Sequence, residues 1–310
     1  MRLFERVPSF DFMGPRRMAL ALSALLIVAS LASIIVRGLN LGIDFTGGVI
    51  LEFAYEADAD LEQIRTSLTD FGFSEAEVQN FGGPTEVLVR IPPLSEGVNT
   101  DDIGQQIEAR LRQDDSSATL QLAEIVDAEV GEDLTEQGGL AMLFALILIF
   151  GYVMLRFRWK FAAGAIAALV HDVILTVGFF SITALTFDLS TLAAVLAVIG
   201  YSLNDTIVVY DRIRENFRII RRGTPVDVVN KSINQTLART IITGLTTLLV
   251  LIALLFLGGE AVAAFSIALI VGIVVGTYSS IYVASAAALL LNVSQQDLIP
   301  VKIEEVDSMP

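Results

Sequence analysis

The chain of 310 residues has no cysteine, which excludes disulfides and thiolate metal sites. Its single histidine, His171, excludes a multi-histidine metal cluster. No Gly-x-x-x-x-Gly-Lys-Ser/Thr segment occurs, so ATP is not an expected ligand. The chain reads as a non-enzyme that needs no metal and no organic cofactor. Positive charge is also scarce: 20 Lys and Arg stand against 35 Asp and Glu, a formal net charge of -15. That imbalance is local. Residues 38–136 hold 22 acidic and four basic side chains. The stretch is a solvated acidic domain with no attraction for nucleic acid or anionic lipid.

Apolar length is what the chain has in excess. It is 54% hydrophobic with a mean hydropathy of +0.67, too much for one soluble domain. This points to a polytopic α-helical protein of the lipid bilayer. Residues 1–17 form a short basic tail containing Arg2, Arg6, Arg16 and Arg17. The apolar run 18–36 is longer than the core of a usual signal peptide. It is expected to stay as an uncleaved first helix, against the alternatives of a cleaved signal or a twin-arginine signal. Five further spans are predicted at 138–155, 161–185, 191–210, 240–257 and 261–291, the last long enough to tilt.

The loops orient these six helices. Segment 156–160 carries three cations and 211–239 seven, whereas 186–190 and 258–260 carry none. By the positive-inside rule both termini lie in the cytoplasm and the acidic domain, 37–136, lies outside. The membrane domain proper is 137–291. Its basic loop, 211–239, is expected to form two helices of its own. One carries Arg212, Arg214, Arg218, Arg221 and Arg222 beside Ile213, Phe217 and Ile220, and lies on the membrane surface as an anchor or a protein-binding patch. The second follows Gly223-Thr224-Pro225 and carries Val226, Val229 and Ile233. The acidic tail, 292–310, is expected to be cytoplasmic, with 295–310 disordered.

Within the soluble unit, alternation over 49–55 predicts a strand, and 60–71 a helix capped by Asp58 or Asp60. Segments 77–81 and 86–91 flank Gly82-Gly83-Pro84 as a hairpin, stopped by Pro92-Pro93. A helix over 101–111 and a strand over 119–130 complete a β-α-β-β-α-β order, the ferredoxin-like α+β pattern. The unit has no histidine, serine elbow or phosphate loop and reads as a docking domain.

Chemistry is sought where polar groups interrupt the spans. Asp205 lies five or six residues from the end of the fourth span, roughly 9 Å deep at 1.5 Å per residue. A carboxylate there costs about 2.5–3.5 kcal/mol on insertion. Asn204 adjoins it, Tyr201 precedes it by one turn, and Val208, Val209 and Arg212 continue its face. Gly200 would let a neighbouring helix approach. The carboxylate either exchanges protons or makes a structural hydrogen bond. Thr236, Arg239, Thr240, Thr243, Thr246 and Thr247 recur at three- and four-residue spacing, as one polar stripe facing a hydrated pathway. Arg239 stands at its mouth and either tunes Asp205 or snorkels to the headgroups. His171 and Asp172, about ten residues into the third span, are a relay or a packing pair. Neighbours on a helix diverge by about 100°, so at most one faces the pathway. Asp188 and Asp211, at span ends, are expected to be solvated. Gly272 and Gly276 form a GxxxG packing face. Two membrane carboxylates would also permit an intramembrane aspartyl protease, but Ser-Leu-Asn stands before Asp205 in place of Gly-x-Gly.

In GIDFTGG (42–48) after the first span, and in GYSLNDT (200–206) through DRIREN (211–216) in the fourth, the chain resembles the SecF family of bacterial protein-export subunits. RFRW (156–159) and NQTLART (234–240) carry the same resemblance, which covers about residues 15–290. The resemblance implies half of a resistance-nodulation-division transporter in the inner membrane. It implies pairing with SecD, association with the SecYEG channel and YajC, and proton-driven help to preprotein clients late in export. By the same likeness Asp205 and Arg239 are the proton-coupling residues. Gly42, Asp44, Phe45, Gly47 and Gly48 would shape the join between the first helix and the external domain, with glycine allowing turns that other residues resist. Two alternatives stand beside this: half of a proton-driven small-molecule or lipid exporter, and a purely structural subunit with a silent Asp205. The exporter would want a larger external domain with an apolar pocket.

Overall fold

Six helices are long and apolar enough to cross a membrane, and they fall into two groups by burial. The computed structural model describes residues 8–81, 83–92, 100–126, 128–157, 159–220, 222–259 and 262–293. The spans are α1 (Arg16–Arg37), α5 (Ala128–Arg156), α6 (Trp159–Thr183), α7 (Leu189–Ile219) and α8 (Pro225–Leu257). The last is α9 (Ala263–Ser279), continued through a π-turn (Ser280–Ala284) into α10 (Ser285–Leu290). In α6 and α7, 56% of the apolar segment is buried inside the chain and in the α9–α10 span 44%, against 11% in α1 and α5 and 17% in α8. These three are therefore the centre, and α1, α5 and α8 turn most of their apolar surface outward.

Glycine sets how closely the central helices meet. A Cβ on Gly272 would collide with Val198 of α7, and one on Gly276 would press on Ser202, so the GxxxG face packs α9 on α7. A Cβ on Gly178 of α6 would collide with Ser30 of α1. Gly200, by contrast, faces open space, so it is not a close-packing site within this chain.

The expected surface helix over 212–222 is not separate. Residues 211–219 continue α7 without a break, and the cap is Ile220, whose amide bonds Asn216 O at 2.8 Å. The second expected helix is likewise the start of α8. Thr224 and Asp227 close a capping box, Pro225 sits at the first turn, and 33 residues run unbroken to Leu257. Nothing in 211–219 or 225–240 stops a helix, because both stretches keep a buried face inside the bundle. Val228, Val229, Ile233 and Phe217 join the central core. Arg221 and the tail from 294 lie outside the described residues.

The short segment before α1 is also tied in. The Phe10 and Phe12 amides donate to Asn234 Oδ1 and Asn230 Oδ1, each at 2.8 Å, and Met13 is wholly buried.

The soluble unit has β2 (Gly48–Ala54), α3 (Leu61–Asp70), β3 (Glu77–Phe81), β4 (Gly83–Ile91), α4 (Thr100–Asp114) and β5 (Thr119–Val126). The strands form one antiparallel sheet in the order β3-β4-β2-β5. Leu51 and Phe53 of β2 and Val87, Val89 and Ile91 of β4 point to one face. Ile64 and Leu68 of α3 and Ile103, Ile107 and Leu111 of α4 cover it. Of the two candidate caps, Asp60 does the work, accepting from Glu62 N at 3.0 Å and Gln63 N at 3.1 Å. Strand β4 starts three residues earlier than predicted and takes in Pro84. Gly82 and Pro93 lie outside the described residues.

The root of this unit is the GIDFTGG segment. Asn40 and Leu41 (β1) pair in parallel with Thr186 and Phe187 (β6), the connection between α6 and α7. A single helical turn, α2 (Ile43–Thr46), follows. Gly42 needs no unusual backbone, but a Cβ there would sit 3.2 Å from the Asp188 Cβ. Gly47 and Gly48 turn the chain into β2 at φ 75° and 144°.

Candidate functional site

α7 carries two polar levels that share one helix and different partners. At the first, Asp205 is only 3% exposed, and its Oδ2 is buried without completing a hydrogen bond. The groups that act on it come from α8: the Arg239 guanidinium and the Thr240 hydroxyl. Thr240 Oγ1 is itself buried without a completed bond, as is the Tyr201 hydroxyl one turn earlier, which faces Thr247. Three buried oxygen atoms thus meet between α7 and α8 with unspent hydrogen-bonding capacity. Arg239 and Asn204 lie on the exposed side of these helices.

The threonine stripe differs from its expected form. Thr236 and Thr240 are buried, Thr243 and Thr247 half-buried, and Thr246 faces out. Thr243 donates to Arg239 O at 2.9 Å, Thr246 to Ile242 O at 2.9 Å and Thr247 to Thr243 O at 3.0 Å. A threonine hydroxyl that back-bonds its own helix has committed its proton and can only accept from other partners. Of the stripe, only Thr240 is left to serve Asp205.

At the second level, Asp172 of α6 is fully buried. Its Oδ2 accepts from Ser202 of α7 at 2.5 Å and Ser279 of α9 at 2.7 Å, and its Oδ1 meets His171 Nδ1 at 2.9 Å. His171 and Asp172 therefore face one site together, although adjacent helical residues diverge. The imidazole ring stacks on Tyr278, the centroids 6.1 Å apart at 28°. Below this, Thr206 and Ser280 share a hydrogen bond of 2.9 Å, and Tyr210 donates to Ala284 O at 2.9 Å across the π-turn. Ser202 lies inside GYSLNDT, whereas Ser279 and Ser280 carry no motif of their own. The signal available in the sequence was a run of serines inside the sixth apolar span.

At the span ends, Asp188 is built into the fold rather than solvated, whereas Asp211 keeps the exposure expected of it. Asp188 is 9% exposed and caps α7, accepting from Thr191 N at 2.7 Å. Burial follows because β1 and the Gly42 turn lie against it. Asp44 adds a second carboxylate at the same helix start, accepting from Leu189 N at 3.0 Å. Phe45 packs with Phe187, their rings 6.2 Å apart, and its carbonyl abuts Gly131 of α5. Asp211 is half-exposed and pairs with Arg156 at 2.8 Å, and Phe157 fits beside Phe161 and Tyr210. This gives RFRW its local meaning, Arg158 lying outside the described residues. Among the described residues no three His, Asp or Glu side chains converge as a metal site requires.

Comparison with known proteins joins these features to a family. The model described as "Protein export membrane protein SecD/SecF, C-terminal" matches residues 106–294, and the "SecD/SecF GG Motif" matches residues 32–59. A protein translocase subunit SecF from Pseudomonas aeruginosa is 48% identical over 308 residues, covering 98% of this chain and 99% of that protein. The SecF of Escherichia coli O157:H7 is 43% identical over 297 residues, covering 96% and 92%. A crystal structure of SecDF from Thermus thermophilus, described as a translocon-associated membrane protein, superposes with a TM-score of 0.78 at 42% identity. That match covers 94% of this chain and 40% of the SecDF chain. With the GG segment at the root of the soluble unit and full-length likeness at this identity, the chain belongs to the SecD/SecF family of protein-export membrane proteins.

Proposed function

We propose that this multi-pass inner-membrane protein is an accessory subunit of the Sec protein-export translocase and draws on the proton motive force. Its partner is SecD, and the pair act beside the SecYEG channel and YajC on unfolded preprotein clients late in translocation. The observation that carries the reading is Asp205: a carboxylate buried in an apolar span, with an open Oδ2 and an arginine and a threonine of the next helix as its partners. A group so placed changes its interactions when it gains or loses a proton. Neutral, it needs only a local hydrogen-bond partner. Charged, it draws on Arg239. The membrane potential supplies about 2.3 kcal/mol per charge per 100 mV, enough for one or two protons to shift a two-state arrangement of helices.

The soluble unit, ferredoxin-like in its connections, lies outside, with both termini cytoplasmic. The asymmetry of loop charge supports that orientation. Because Asp44 and Asp188 hold the start of α7, and Asp205 sits further along the same helix, movement of α7 is felt at the root of the external unit. The solved SecDF chain is longer than this one, which leaves room for a SecD half against the exposed faces of Gly200, Asn204 and Arg239.

The test is export of a secreted precursor in cells carrying Asp205→Asn, with the levels of this subunit and SecD measured alongside. Export is expected to fall to the level of a deletion while the complex persists. Normal export would overturn the role of Asp205 and leave it as a packing residue.

A further inference from the structure

We propose that His171 and Asp172 form a second proton-binding site in the membrane domain, at which the imidazole Nε2 takes up and releases a proton beside the Asp172 carboxylate. The site stands on geometry independent of Asp205. The Oδ2 contacts of Asp172, 2.5 Å from Ser202 and 2.7 Å from Ser279, have the length of hydroxyl-to-carboxylate bonds. With the imidazole on Oδ1, three donors hold one anion. Against an ionised carboxylate, Nδ1 is the donor of that contact.

Nε2 is the atom left over. It is buried, on a residue 2% exposed, and has no hydrogen-bond partner among the described residues. It either keeps a bare lone pair or binds a proton. With the proton bound, the pair is an imidazolium and a carboxylate with no net charge. Without it, one negative charge remains, spread over three donors. Among the described residues the ion pair of Asp172 is with His171, so no lysine or arginine fixes that balance. The titratable groups on the facing elements are Tyr278 of α9, stacked on the imidazole, and Tyr282 behind it at 5.2 Å. The Tyr278 hydroxyl is occupied, donating to Ala19 O of α1 at 2.8 Å and lying 3.1 Å from Ser23 Oγ. From α7 the facing group is Ser202, which does not titrate.

The charge change occurs where α6, α7 and α9 cross, one residue before the π-turn at 280–284. Such turns are local irregularities that a helix can shift, and they concentrate at functional sites.

The chain contains one histidine, so nitrogen-15 histidine labelling gives a single imidazole spectrum. The full chain, purified with a histidine-free tag and placed in lipid nanodiscs, is titrated by NMR from about pH 5 to 9, the range in which imidazoles exchange protons. Nε2 is expected to move from the bare to the protonated position while Nδ1 stays protonated throughout. Asp172→Asn is expected to abolish that movement, and Asp205→Asn to leave it in place, which separates this site from the function proposed above. An Nε2 signal that stays flat in the unaltered chain overturns the proposal, as does loss of the Nδ1 proton before Nε2 gains one. Unchanged movement in Asp172→Asn overturns it as well. The spectrum of the unaltered chain decides the matter even where that variant fails to insert.

Discussion

Asp44 accepts a hydrogen bond from the Leu189 amide at 3.0 Å, so a residue of the GG segment helps cap the helix that carries Asp205. The first amides of a helix have no partner within it and form its positive end. Asp44 and Asp188 both answer that need, one from the GG segment and one from the α6–α7 connection itself. The soluble unit is thereby rooted on the helix whose protonation state is proposed to change.

Asp44→Ala should therefore loosen both sides at once. Loss of one such bond costs about 1 kcal/mol. Hydrogen exchange should rise in peptides covering residues 186–192 and 43–48, and Asp44→Asn, which keeps an acceptor, should show a smaller rise. Equal exchange in Asp44→Ala and the unaltered chain would refute the anchoring role.

A second tie joins the sheet edge to the membrane rim: Thr186 donates to Glu77 Oε1 at 2.7 Å. Since the chain lacks cysteine, Glu77→Cys with Thr186→Cys introduces one reactive pair on a clean background. A short bifunctional thiol reagent should link the two into a species of altered gel mobility. Failure to link them in membranes would mean that β3 does not rest on the rim.

Close glycine packing yields a contrast within one bundle. Gly272→Ala places a Cβ against Val198, and overpacking of this kind costs about 1–3 kcal/mol. Gly200→Ala meets nothing within 4 Å, and alanine gains about 1 kcal/mol over glycine in helix propensity. Thermal unfolding of the isolated chain in detergent should fall for the first and hold or rise for the second.

The soluble unit should respond to acid through Asp114. Its carboxyl is held below the usual range, chiefly by the hydrogen bond from Ser67 and then by Arg110. A depressed value means stability present above the unfolded value, about 4, and lost as pH falls through the folded one. Ser67→Ala should therefore destabilise the contact between α3 and α4 more at neutral pH than near pH 3. Hydrogen exchange of residues 61–70 at the two pH values, in the full chain, reads the difference. An equal effect at both would show that Ser67 acts by packing alone.

Tyr55 extends the argument to alkali. Burial, with Asp115 and Asp114 nearby, pushes its hydroxyl up to about 12. The neutral phenol is favoured in the fold, so that stability is present below the unfolded value, about 10, and declines as pH rises toward 12. Tyr55→Phe should flatten the alkaline loss seen by near-ultraviolet absorbance and circular dichroism.

While the GG segment was legible through family resemblance, local pattern alone determined the six apolar spans, the β-α-β-β-α-β order and the place of Asp205 within a span. These depend on neighbours in sequence: hydropathy over one window, alternation over one strand, a carboxylate where lipid would exclude it. Tertiary structure decided what each polar group meets. Ser202 and Ser279 lie 30 and 107 residues from the Asp172 they bond, and no periodicity links such positions. Asp188 reads as a solvated loop end until β1 pairs beside it, and the basic loop reads as surface helices until their apolar faces find the bundle. His171 and Asp172 diverge on an ideal helix, yet a rotatable imidazole lets them touch. A side chain's polarity is written in the sequence, but the partner that satisfies it is fixed only when distant helices close around it.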